Sequence, residues 1–219
     1  MGRTAIVIGA TGLIGNELLL RLLDDPEFDC IKVFVRRPLS MSHQKLVEYV
    51  IDFKRIGDHE NEIKGDLLFC CIGTTIKVAG SKEAFYEVDA AYPIAFAKAA
   101  KYNGLQKFLL VSSLGATKGS SNFYLKVKGE VESELELMNF ELLLIFRPSM
   151  LLGDRKEFRV GESVGKILMK ALSFIFVGKL KRYRAIHAST VAQAMINASK
   201  TSQTGVLVFE SDQIEMAGK

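Results

Sequence analysis

An apolar run that stops on a glycine-punctuated turn constrains this chain more than any other feature. Thr4-Ala5-Ile6-Val7-Ile8 leads into Gly9-Ala10-Thr11-Gly12-Leu13-Ile14-Gly15-Asn16 and then into the helix-forming Glu17-Leu18-Leu19-Leu20. The order predicts strand, turn and helix. Glycines at 9, 12 and 15 let the backbone turn sharply, approach a pyrophosphate closely and pack the helix tightly on the strand, while free N–H groups at the helix start attract negative charge. A dinucleotide is the natural ligand of such a turn. The spacing is G-x-x-G-x-x-G rather than G-x-G-x-x-G, so the strand before it and the helix after it carry the assignment as much as the glycines do.

The 219 residues suit a single domain, a length that buries about 70% of the surface of the unfolded chain. With 48% hydrophobic and 25% charged residues the composition is that of an ordinary globular protein. The formal charge of +4 is mild and suits an anionic ligand, but it is not gathered into the basic, aromatic-studded stripe that nucleic acid requires. Nucleic-acid binding is therefore not expected. Cys30, Cys70 and Cys71 are odd in number, and the adjacent pair lies in an apolar run, which suits buried, reduced thiols. The chain opens directly into a strand without a leader-like or transit-type segment, so a cytoplasmic location is expected.

Along the chain, Ile31 to Val35 reads as a second buried strand ending at Arg36-Arg37-Pro38. In a dinucleotide fold this strand end faces the adenosine ribose, where an acid would hold a 2′-hydroxyl and arginine pairs with a 2′-phosphate. Arg36 and Arg37 thus favour NADP(H) over NAD. A third short strand within 46–53 ends at Asp52, a residue suited equally to the adenine edge and to a turn. Leu67 to Ile72 is apolar on both faces, as a strand between two helix layers should be. Its end places Ile72 and Gly73 against the cofactor, with a mobile loop expected over 74–80.

A helix with a kink at Pro93 is predicted from Ser81 to its end at Asn103-Gly104, followed by a strand over Lys107 to Val111 that releases Ser112-Ser113. Ser121-Asn122 can cap a helix running from Phe123 to about Met138, which places Tyr124 and Lys128 on one face. Further strands are predicted over 140–146 and 205–209, with a 191–199 helix opened by a Thr190-x-x-Gln193 capping box. The apolar 163–177 stretch is too short to span a bilayer and suits a core or lid helix. His43, His59 and His187 read as structural, and no spacing of ligand residues suggests a metal site. Strands alternating with helices predict an α/β fold, a doubly wound, mostly parallel sheet with helices on both faces. Residues 1–219 form one domain, to which 148–200 contribute a small substrate or lid region.

Glycine loop, Arg-Arg, Ser-Ser, Tyr-x-x-x-Lys and a late Arg-Pro occur in the order seen in the short-chain dehydrogenase/reductase superfamily, which the chain resembles in its atypical branch. Three segments look more narrowly like the Tat-interacting oxidoreductase family: Phe69 to Thr75, Ser121 to Val131 with its Val-Lys-Gly-Glu-Val string, and Phe146 to Arg155 with its Arg-Pro and Asp-Arg pairs. The resemblance implies a Rossmann-type domain binding NADPH, with Thr11, Gly12, Leu13 and Ile14 at the pyrophosphate and Arg36 and Arg37 at the 2′-phosphate. It further implies Ile72 and Gly73 at the centre of the cofactor, Tyr124 and Lys128 flanking the nicotinamide ribose, and Leu151 and Arg159 completing the pocket. Leu13-Ile14 replaces polar residues found in better-known members, so backbone rather than side-chain contacts are expected there.

By analogy with the superfamily, Tyr124 is the general acid for reduction of a small carbonyl, Lys128 favours its phenolate, and Ser113, or Ser112 if the strand end shifts by one, orients the substrate oxygen. The rival reading is an NADPH-sensing module that sets the affinity for a protein partner and does little chemistry. A sugar-nucleotide epimerase is the weaker third, because the region after Pro148 is small for a nucleotide-sugar site.

Overall fold

The computed structural model describes residues 2–153 and 182–219. Strand β1 (Arg3–Ile8) runs into helix α1 (Leu13–Asp24), which buries Ile14, Leu18, Leu19, Leu22 and Leu23 along one stripe at helical spacing. Strands β2 (Phe28–Val35) and β3 (Leu46–Val50) follow, then a kinked 3-10 segment (Phe53–Glu62) and β4 (Leu67–Cys70). Beyond β4 come the short helices α2 (Ile76–Ala79) and α3 (Lys82–Tyr86), a π turn (Glu87–Ala91), and α4 (Tyr92–Tyr102). Strand β5 (Lys107–Val111), helix α5 (Phe123–Leu137) and strand β6 (Leu142–Arg147) complete the central part. Short strands β7 (Leu151–Leu152) and β8 (Ile186–His187), helix α6 (Ala188–Ser199), strand β9 (Gly205–Glu210) and helix α7 (Ser211–Ala217) close the described chain.

Seven strands form one sheet in the order β3-β2-β1-β4-β5-β6-β9, every pair parallel. The sheet is the doubly wound α/β arrangement that the alternation of elements predicts. Ile8 is registered with both Phe34 and Cys70, so the strands release their loops along one edge. The winding reverses between β1 and β4, and in such sheets the crevice beyond that switch point is where ligands bind.

Alternation along the strands divides the core between the two faces. Val7, Val33, Phe69 and Leu144 pack with α1, α6 and α7, whereas Ile8, Phe34, Leu68 and Leu110 pack with Phe85, Phe96, Val127 and Leu135. Both faces are covered, which is why these strands read as continuous apolar runs.

Three local expectations change. The expected mobile loop at 74–80 contains α2, capped by Thr75 Oγ1, which accepts from the Val78 N–H, and ended by Gly80 at φ +90°. The expected kink at Pro93 is a π turn ahead of α4. Proline has no N–H for the carbonyl of Asp89 and its ring crowds that carbonyl, so the helix widens there instead of breaking. The predicted box at Thr190 and Gln193 is not formed, because α6 begins earlier, after His187. A capping box occurs instead at the start of α7, where the Glu210 N–H donates to Gln213 Oε1 at 2.9 Å. The helix α7 itself had no counterpart in the sequence reading. The predicted 163–177 helix lies outside the described residues.

Candidate functional site

The glycine turn forms a cradle that side chains would fill. Gly9 has φ +84°, and a Cβ there would lie 2.5 Å from the Cys71 carbonyl carbon, so neither conformation nor space admits another residue. A Cβ on Gly15 would overlap the Gly9 carbonyl oxygen, which is the tight strand–helix approach expected of this position. Gly12 caps α1 without a side-chain bond, Thr11 and Gly12 are exposed, and the first N–H groups of the helix have no intrahelical partner. These features fit a pyrophosphate, held through backbone as the Leu13-Ile14 pair requires. Leu13 is half-buried, and Gly153 just past β7 lies so close that a Cβ there would be 2.7 Å from Leu13 Cδ1.

Arg36 and Arg37 follow β2 at the same edge, both exposed, and neither forms an ion pair among the described residues. Asp52 caps the 3-10 segment, accepting from the Lys54 N–H at 2.9 Å, so the turn alternative accounts for this residue. Leu151 is half-buried in β7, opposite Ile186. Arg159 lies outside the described residues.

Tyr124 and Lys128 stand on α5, whose N-terminus is capped by Asn122 accepting from the Leu125 N–H at 3.2 Å. The Tyr124 ring packs on buried Phe85, with centroids 5.6 Å apart. Lys128 is 4% exposed, and its Nζ lies 2.8 Å from Asp89 Oδ1; Asp89 is itself 1% exposed and sits in the π turn. The contact is a buried ion pair. Asp89 Oδ2 accepts from the Thr74 N–H at 2.8 Å. A Cβ on Gly73 would be 3.5 Å from Asp89 Oδ1 and 3.7 Å from Lys128 Nζ, so the strand end, the lysine and the carboxylate meet at one point.

Burial alone would lower the Lys128 pKa, but the facing carboxylate of Asp89, with Tyr124 and Cys70, more than offsets it and pushes it up to about 12. Burial pushes the neighbouring Cys70 thiol up to about 12, and Cys71 upward as well. All three cysteines are free thiols.

The serine loop reaches the same region. The Ser112 N–H donates to the Phe146 carbonyl at 2.7 Å, while its hydroxyl is buried without a partner among the described residues; Ser113 is half-buried. The loop crosses α5 at Gly129, where a Cβ would lie 2.5 Å from the Lys118 nitrogen. Asp89 is the residue that sequence reasoning missed. The available signal was Pro93 four positions later, which forces the helix to open at residue 89.

Among the described residues no group of three or more His, Cys, Asp or Glu could hold a metal ion, and no helix is long and apolar enough to cross a membrane. A family model described as NAD(P)H-binding matches residues 9–201. The rat protein HTATIP2 is 34% identical over 99% of this chain and 90% of its own length. Two fungal relatives are named mitochondrial proteins: FMP52 of Candida glabrata, 36% identical over 73% of this chain and 68% of its own, and fmp52-1 of Aspergillus terreus, 30% identical over 97% and 94%. These relatives correct the cytoplasmic expectation. It rested on the lack of a leader-like opening, which is compatible with more than one compartment. Among solved structures, the UDP-N-acetylglucosamine 4-epimerase of Methanobrevibacter ruminantium matches with TM-score 0.72 at 16% identity, covering 95% of this chain and 76% of its own. The UDP-glucose 4-epimerase of Thermotoga maritima matches with TM-score 0.71 at 15% identity, covering 97% and 80%. At such identity the likeness shows a shared Rossmann-type fold.

Proposed function

The chain belongs to the NAD(P)H-binding family, with rat HTATIP2 and the fungal FMP52 proteins among its relatives, and on that footing we propose that it is an NADPH-dependent oxidoreductase of the short-chain dehydrogenase type. One juxtaposition supports this reading above all others: the Lys128 ammonium lies at Gly73, beyond the carboxyl end of β4, with Tyr124 one turn earlier on α5 close enough to act on its charge. When bound, NADPH supplies a hydride to the carbonyl carbon of a small substrate. Tyr124 donates its hydroxyl proton to the carbonyl oxygen, so that an alcohol leaves and the phenolate is reprotonated from solvent. Ser113, with Ser112 as the alternative, orients that oxygen. Lys128 holds the nicotinamide ribose, and Arg36 and Arg37 pair with the 2′-phosphate. Residues 148–200 supply the substrate side of the single domain, with Leu151 at the pocket.

The test is NADPH oxidation by the purified protein with a panel of small aldehydes and ketones. Tyr124→Phe should lower turnover by at least about 100-fold while leaving NADPH binding largely intact. Undiminished turnover in that variant overturns the assignment. Replacing both Arg36 and Arg37 by alanine should weaken NADPH binding by about 10-fold or more and leave NADH binding unchanged.

One observation favours the sensing alternative: the charge of Lys128 is already compensated by Asp89, which reduces what it can do for a phenolate. A sensor would bind NADPH, leave it unoxidised whichever carbonyl compound is added, and change its affinity for a protein partner with the NADPH/NADP ratio.

A further inference from the structure

We infer that Asp89 is a positioning residue of the cofactor site, one buried carboxylate that fixes Lys128 with one oxygen and the Gly73-Thr74 strand end with the other. The inference rests on the reading of Lys128 as the lysine that holds the nicotinamide ribose.

The groups around the pair come from several elements. Lys128 meets the Asp89 carboxylate from α5, the neutral thiol of Cys70 lies near both from β4, Gly73 and the N–H of Thr74 reach the carboxylate from the strand end, and Tyr124 acts on Lys128 from one turn earlier on α5. Among the described residues Lys128 is the only cation in contact with Asp89. The carboxylate is carried by the π turn that Pro93 imposes, a widened turn of the kind that recurs at functional sites.

A merely structural role is a poor explanation of such a pair. Buried ion pairs contribute little net stability compared with apolar residues of similar volume, and the surrounding Phe85, Ala90 and Phe96 already form an apolar core that could have continued through this point. The pair instead sets two things that a ribose would touch. It keeps the Lys128 ammonium charged and in one rotamer despite its burial, and it ties the backbone at residues 73 and 74 to the same atom group. Without the carboxylate, Lys128 remains among Cys70, Tyr124 and Gly73 with no counter-charge, and burial alone then drives it toward the neutral amine.

The test uses the full chain and two variants, Asp89→Asn and Lys128→Met, with NADPH binding followed by fluorescence from pH 6 to pH 9 and amine labelling at Lys128 followed by peptide mass spectrometry. Asp89→Asn keeps an acceptor for the Thr74 N–H but removes the charge. Its Lys128 should label about tenfold or more faster than wild type at pH 9, and its NADPH affinity should fall with rising pH where wild type stays level. The double variant should bind NADPH as Lys128→Met alone does, because Asp89 acts through the lysine; this comparison also serves if Asp89→Asn alone does not fold. Unchanged labelling and a level pH profile in Asp89→Asn, or additive losses in the double variant, overturn the inference. Failure of the wild-type chain to bind NADPH overturns the cofactor reading itself, and the labelling then reports on the ion pair alone.

Discussion

Lys128 and Cys70 are neighbours whose deprotonation costs the fold in the same alkaline window. Lys128 is held up to about 12, above its ordinary value of 10.5, so the stability it contributes is fully present below about pH 10.5 and is lost as pH rises through about 12. Cys70 is likewise held up to about 12 from 9.0, so between these values the folded thiol keeps a proton that the unfolded chain gives up. Both effects have the same sign, and urea unfolding should show stability falling from about pH 9 upward. Cys70→Ala should flatten the first part of that fall and Asp89→Asn the second; a slope unchanged in both variants would place its origin elsewhere. At this scale the glycine turn was legible, and Arg36, Arg37, Tyr124 and Lys128 could be named as candidates, because each is defined by spacing from a predicted strand or helix. Asp89 was not. In the sequence it is one acid among several on a helix, and only the packing of the π turn against α5 gives it a partner.

At the scale of elements, α5 is the piece that has to be placed correctly, since it carries both Tyr124 and Lys128. Two contacts dock it. The backbone of Thr117 and Lys118 crosses directly over Gly129, and Glu132 accepts from Arg147 at the end of β6, Nε to Oε1 at 3.0 Å and Nη2 to Oε2 at 2.5 Å. Gly129→Ala should cost about 1–3 kcal/mol, because the serine loop must move to admit a methyl group. It should also lower turnover more than Lys118→Ala, which leaves the loop backbone in place. Arg147→Met leaves Glu132, 3% exposed, without its partner. The expected loss in urea unfolding is about 2–3 kcal/mol, below the usual figure for a broken buried pair because Arg147 is partly exposed. The Arg147-Pro148 pair was visible in the sequence as a family mark, but its work as the anchor of α5 depends on a contact fifteen residues back along the chain. Local end signals were the least legible. The Thr190-Gln193 pattern satisfies the rule for a capping box and yet is not one, because the helix starts where β8 releases it.

For the whole molecule, the sheet brings the ends of β1, β2, β4 and β5 to one edge, so a dinucleotide bound there bridges segments far apart in the chain. Such a ligand stabilises the folded state by mass action, about 2.7 kcal/mol at a hundred times its Kd, which for a chain of this size raises Tm by about 5–10 °C. NADPH should produce that rise, and NADH at equal concentration a smaller one; equal rises would remove the case for Arg36 and Arg37. By itself the sequence determined the class of fold and the glycine cradle between β1 and α1, because apolar runs of strand length, helical stripes and three glycines are local patterns whose physics does not depend on distant residues. Gly9-x-x-Gly12-x-x-Gly15 needs only its own strand and helix to make a cradle. The tertiary structure alone decided what surrounds Lys128. A buried charge takes its meaning from whatever the fold packs against it, and the Asp89 carboxylate arrives there from a different helix through a turn that no local propensity encodes.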